Sequence, residues 1–263
     1  MRVPRLAQLV LIVHGLRMME PSADANSRSD PPLALRHSVP EILSCRQLIV
    51  VTAKGWNDQN ASVRLLERAT AGQTSWREVA TAVPAVIGSR GFAWGVGLHG
   101  TGETGAPSKR EGDQRSPAGV FKLYAVFGTA SPDRIGFLRL PYEQVTTTTE
   151  AIDDPHSRYY NRIVDRAVIK HPDWSSSESM LQVGGRYRFG VMVEHNWSQI
   201  PGLGSCIFLH VWAYDRGGTA GCTAMSLADL RHLLYRLDAA KNPLIVQLPL
   251  PEYDRWKQAW QLP

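Results

Sequence analysis

Cysteine is scarce: Cys45, Cys206 and Cys222 are the only three in 263 residues. That excludes a small scaffold held by disulfides, so the fold must rest on a hydrophobic core. In an oxidising compartment two of the three can pair, and the sequence leaves open which one stays free. Long apolar runs are missing too. No stretch approaches the roughly 20 residues that cross a bilayer, so no stable membrane span is expected. There is no HExxH and no paired CxxC, and His156, His171, His195 and His210 lack helical ligand spacing. A metal site is therefore not expected. No phosphate loop or dinucleotide fingerprint occurs, and the glycine-rich "GLHGTGETG" lacks the strand-to-helix setting and Lys-Ser/Thr ending of one. No cofactor is expected. Lys and Arg exceed Asp and Glu by 29 to 24, but they are scattered rather than clustered. That reads as a solvated basic surface, not a nucleic-acid interface.

What is present describes an ordinary globular chain. Hydrophobic residues at 43% and charged residues at 20% exclude a disordered protein. The 22 glycines and 17 prolines suit many turns between short strands. The start, "MRVPRLAQLVLIVHGLRMMEPSADANS", has an arginine-bearing head, a short apolar stretch and small residues ending at Ala25. That order reads as an export signal over residues 1–25, interrupted by His14, Arg17 and Glu20. Residues 26–45, rich in Ser, Asp and Pro at the start, read as a linker.

The segments "CRQLIVVTAK", "ASVRLLER", "WREVATAVPAVIG", "VFKLYAVFG", "RFGVMVEHN", "CIFLHVWA" and "NPLIVQLPLP" read as strands. Pro84 implies an edge or a bend. "SLADLRHLLYRLDAA" is the best helix, with Ser226 as N-cap and a leucine stripe. Short strands with one good helix predict a mainly β fold of α+β type, a sandwich or barrel.

The chemistry concentrates at "TAGCTAM", residues 219–225. Cys222 follows Gly221, which clears space for a substrate, and precedes the predicted helix by about one turn. A helix N-terminus and a nearby imidazole both stabilise a thiolate. His210 ends the strand "FLHVW" and stands as general base. The backbone N–H groups of Gly221 and Cys222 are candidate oxyanion donors. A buried inert thiol and a core histidine are the competing reading.

"FLHVW…TAGCTAM", preceded by "KREGDQRSPAGVF", resembles the YkuD-type L,D-transpeptidase family. The second segment is matched at Lys109, Gly112, Asp113, Ser116, Pro117 and Gly119. The resemblance spans about residues 46–250, leaving 251–263 as a tail. It implies a β-rich sandwich or barrel with the cysteine loop in a cleft, and acyl transfer on peptidoglycan stem peptides in the periplasm or cell envelope. It makes Cys222 the nucleophile, His210 the base, Gly221 the adjacent glycine and Thr219 the hydroxyl of the core motif. The departures are Ala220, where histidine is common, Ala224, where arginine is common, and a short His-to-Cys gap. These mark a divergent branch.

Other candidates are weaker. "DDPHSRYYN" offers Asp154, Ser157 and Asn161 as cleft groups, and Asn196 stands as an orienting partner for His210. A Cys45–Cys206 bridge requires the strands they open to be neighbours. Two further readings are an L,D-carboxypeptidase or other cysteine peptide hydrolase, and a non-catalytic envelope-binding module. A monomer is expected.

Overall fold

The structure, a computed structural model, describes residues 38–100, 102, 105–214 and 216–263. The signal expected over 1–25 and the linker up to residue 37 lie outside them. Among the described residues no helix is long and apolar enough to cross a membrane.

Eight strands close into a barrel. In spatial order they are β1 (Gln47–Ala53), β14 (Leu244–Pro249), β6 (Ser116–Gly128), β11 (Phe189–Val193), β12 (Phe208–Val211), β13 (Thr223–Met225), β4 (Val83–Val86) and β2 (Asn60–Glu67), with β2 returning to pair with β1. Closure leaves no long unpaired edge in the ring. Two pairings, β1–β14 and β12–β13, are parallel. Short β3 (Arg77–Glu78), β5 (Phe92–Trp94) and β7 (Tyr142–Gln144) attach to β2 and β6. The mainly β reading is correct, and the barrel is the form it takes. Pro84 sits opposite Ser62, beyond the end of β13, where its missing N–H leaves no ladder bond unmade.

The strands are buried on alternate faces. Val191, Val193, Ile207 and Leu209 join the main core with Leu48, Ile49, Phe121 and Val246. Met192 and Phe208 point the other way, into a second apolar cluster with Ala125, Phe127, Ala151, Met180 and Tyr187. That second face is covered by a small separate sheet of β10 (Ser177–Ser179), β8 (Thr149–Ile152) and β9 (Arg162–Asp165). The long segment 130–190, irregular in sequence, supplies this cover.

The helix α2 (Leu227–Arg236) forms as its sequence directs. Ser226 Oγ accepts the Asp229 N–H at 3.0 Å, and Leu230, Leu233 and Leu234 are buried. The packed unit is wider than residues 46–250. Val39, Ile42 and Cys45 belong to the main core, with the short helix α1 (Glu41–Ser44) between them. At the other end α3 (Leu250–Trp256) and the residues after it bury Tyr253, Trp256, Trp260 and Leu262. The aromatic tail is thus core, because three large rings gain more by burial than a solvated tail loses in freedom.

The glycine-rich run after β5 packs backbone against β6. A Cβ on Gly97 would stand 2.4 Å from Val120 O, so no larger residue fits. His99 and His195 are buried against the same strand, and burial lowers their imidazoles to about 4 and about 3. Neutral imidazole is favoured in the fold, whereas the unfolded chain protonates near 6.5. The stability this contributes is complete above about pH 6.5 and is lost as pH falls from there towards 4. Each histidine is expected to withdraw up to about 3 kcal/mol. Denaturant midpoints measured from pH 7.5 to 4.5 check this; a flat profile would contradict it.

Candidate active site

Cys222 precedes β13 directly. The β12–β13 register pairs Leu209 with Thr223 and His210 with Ala224. Cys222 therefore stands beside Phe208, and period-two alternation puts Cys222 and His210 on one face of the sheet. It is the face covered by the small sheet, and Cys222 packs against that apolar cluster.

The cysteine loop is clamped by hydroxyls. Cys222 O accepts from Thr219 Oγ1 at 2.6 Å and from Ser116 Oγ at 3.0 Å, and Ser116 Oγ in turn accepts the Gly88 N–H at 2.9 Å. Ser116 begins β6, so this bond ties "SPAG" to "TAGC". Thr219 Oγ1 also accepts the Gly221 N–H at 3.1 Å. The Gly221 amide is thereby committed, which leaves the Cys222 amide as the backbone donor beside the thiol.

Cys222 Sγ accepts the Phe208 N–H at 3.3 Å and its S–H points to Cys206 O at 3.5 Å. Burial pushes this thiol up to about 12, against the pull of the Phe208 N–H and of Lys109 and Arg186. The expected helix-terminus activation does not operate: β13 separates Cys222 from α2, whose N-cap is Ser226. His210 is 6% exposed, and burial lowers its imidazole to about 4. Its Nδ1 lies 2.8 Å from Val211 O. A carbonyl only accepts, so Nδ1 carries the proton and Nε2 keeps its lone pair. At neutral pH the site thus holds a thiol and a neutral imidazole. Among the described residues no hydrogen bond joins the two side chains; they stand diagonally across the strand pair. The Tyr187 and His210 rings pack edge to face with centroids 5.5 Å apart.

A cleft of about 310 Å³ opens at Cys222, walled by Lys109, Glu111, Asp153, Glu178 and Tyr187. Two of its carboxylates are fixed. Glu111 accepts from Tyr160 at 2.6 Å and Ser205 at 2.9 Å, and Glu178 accepts from Tyr187 at 2.6 Å. Lys109 belongs to the matched segment "KREGDQRSPAGVF". Glu111, Asp153, Glu178 and Tyr187 carry no motif of their own; the last three lie in "AIDDPHSRYYN", "HPDWSSSESM" and "GGRYRFG", whose signal is the unusual length of ordered loop.

The weaker candidates fall elsewhere. Asn161 is buried at φ 60°, donates to His195 O and Asn196 O, each at 2.8 Å, and accepts the Cys206 N–H at 2.8 Å. It braces the backbone that receives the Cys222 S–H. Asn196 does not meet His210; it bonds Ile200 and Gly204 within its own loop. Asp154 caps a turn through Ser175 and His156, and those bonds hold its carboxyl well below the usual range. Ser157 donates to Asp173 at 2.6 Å. Neither Asp154 nor Ser157 lines the cleft. The Cys45–Cys206 bridge is not made: all three cysteines are free. The strand after Cys45 neighbours β14 and β2, whereas β12 neighbours β11 and β13, so the two thiols lie in different parts of the fold. Cys45 donates to Gln47 O at 2.8 Å and Cys206 to Ile152 O at 3.4 Å. No cluster of metal-ligating side chains occurs among the described residues.

No curated protein and no solved structure gives a significant match to the chain. Residues 78–246 match the YkuD family, described as an L,D-transpeptidase catalytic domain, and that span takes in both β12 with His210 and the loop with Cys222. With more than half of the sequence matched and a cysteine cleft on a closed β-barrel, the chain belongs to the YkuD family of L,D-transpeptidase catalytic domains.

Proposed function

We propose that the protein is an exported cysteine acyltransferase that joins peptidoglycan stem peptides through a Cys222 thioester. The observation that carries this reading is a thiol at a cleft with an imidazole on the same sheet face whose Nε2 is free to accept a proton. Sγ attacks the amide carbonyl next to the terminal D-alanine while His210 Nε2 takes the thiol proton. The distance closes as substrate enters, as catalytic contacts commonly do. The Cys222 amide donates to the oxyanion. The imidazolium returns the proton to the leaving D-alanine amine, and the thioester remains. An amine of a neighbouring stem then attacks, gives its proton to His210, and leaves an amide and the free thiol. Water in place of the amine gives a carboxypeptidase by the same steps. Ala220 lines the cleft beside Cys222, and Ala224 is buried in β13 beside His210; neither methyl group can give or take a proton in these steps.

Mass spectrometry of purified muropeptides incubated with the protein is the test. The expected result is cross-linked product with release of D-alanine, together with a single carbapenem adduct on Cys222. Trimmed peptides without cross-links would assign hydrolysis. Neither product nor adduct would leave the envelope-binding module as the function.

A further inference from the structure

The charges of the cleft do not balance. Glu111, Asp153 and Glu178 stand in its wall, and Lys109 is the one cation among its described lining residues. Negative charge that forms at Cys222, as thiolate or as oxyanion, develops among carboxylates that oppose it.

Lys109 is built into the fold at the place where it offsets them. Its side chain is 4% exposed. Nζ donates to Asp113 Oδ1 at 2.5 Å and to Arg110 O at 2.8 Å. An ammonium has three protons to give, so one remains beyond these two bonds. The stem runs under both loops that frame the thiol. A Cβ on Gly204 would lie 3.1 Å from Lys109 Cε, and one on Gly221, the residue before the nucleophile, 3.8 Å from it. Asp113 is held in turn by the Arg110 and Arg115 N–H groups at 2.8 and 2.9 Å, so the ion pair cannot swing away without unmaking the turn.

We propose that Lys109 is a positioning residue whose buried ammonium, anchored by Asp113, supplies the counter-charge for the Cys222 thiolate and the oxyanion inside an acidic cleft. The proposal rests on the reading of Cys222 as nucleophile. The charged groups that bear on Cys222 act as their signs require: Glu178 pushes its thiol up, whereas Lys109 and the exposed Arg186, which does not line the cleft, pull it down. The phenol of Tyr187 and the thiol of Cys206, which also border the cleft, are both neutral at physiological pH because burial raises them. Lys109 also bears on His195, which burial keeps neutral. Of the groups around the thiol, Lys109 is the cation that both lines the cleft and is fixed in place.

The test is the rate at which iodoacetamide modifies Cys222 between pH 7 and 10, read by peptide mass in the folded protein. Lys109→Met keeps the stem and removes the charge. It is expected to slow modification at a given pH, about tenfold for each unit by which the thiol is displaced. Asp113→Asn removes the neutralising carboxylate and is expected to speed it. On stem peptides Lys109→Met should lower kcat with little change in KM, and Lys109→Arg should recover part of the loss. A structural clasp would behave otherwise: both substitutions would move reactivity in the same direction, or leave it unchanged, and either result overturns the proposal. If Lys109→Met does not fold, faster modification in Asp113→Asn supports the proposal and slower modification refutes it. Failure of the nucleophile reading looks different, because Cys222→Ser would then retain turnover whatever the lysine variants do.

Discussion

Cys222→Ser is expected to abolish turnover, by at least about 10³-fold, while the protein remains folded. The thiol's environment explains both halves. Its sulfur accepts the Phe208 N–H and its proton points to Cys206 O, and a hydroxyl satisfies the same two partners. Stability should change by no more than about 1 kcal/mol. The Cys222 carbonyl, clamped by Thr219 and Ser116, is untouched. Reactivity is another matter. Burial already holds the thiol at about 12, and a hydroxyl is far harder still to deprotonate for one neutral imidazole. Release of D-alanine from stem peptides, alongside the thermal midpoint, measures both. Activity within tenfold of the parent would remove Cys222 from the mechanism.

His210→Ala is expected to lower kcat/KM by about 10²–10⁴-fold, the usual worth of a general base. Its pH dependence is the sharper reading. The imidazole must be neutral to accept the thiol proton, and it protonates at about 4. Activity in the parent should therefore fall as pH drops through about 4, and the residual activity of His210→Ala should lack that limb. Fluorescence must show the fold intact in the same range, because His99 and His195 withdraw stability below pH 6.5. An acid limb that survives in His210→Ala would assign the base elsewhere. Alkylation of Cys222 near neutral pH should change less than turnover does, since a neutral imidazole with no hydrogen bond to the thiol does little to stabilise a thiolate.

Strand-forming segments were legible wherever burial pattern and side-chain type agreed. "LIVQLP" is buried throughout and "QLIVVTA" is buried except at half-buried Thr52, and they became neighbouring barrel strands β14 and β1. The Ser226 cap and the leucine stripe gave α2 because a helix end and an amphipathic face are written within ten residues. β13 was not legible. Three residues, "TAM", carry no periodicity, and they are a strand because β12 and β4 flank them. That one short strand changes the chemistry expected at the cysteine, by moving Cys222 away from the helix N-terminus.

The candidate pair Cys222 and His210 was readable from residue types and from resemblance. The sequence determined a cysteine behind a glycine, a histidine ending an apolar strand, a chain without metal or phosphate motifs, and enough β-forming segments to build a barrel. The tertiary structure decided the rest. Barrel closure placed Cys222 and His210 on one face, separated Cys45 from Cys206, and turned Asn196 into a loop brace. Folding the 130–190 segment over that face brought Asp153, Glu178 and Tyr187 to the thiol, from positions 69, 44 and 35 residues earlier in the chain. The physical reason is that local preferences act over a few residues, whereas burial, ion pairing and the state of a thiol depend on whichever groups long-range packing brings within a few ångströms.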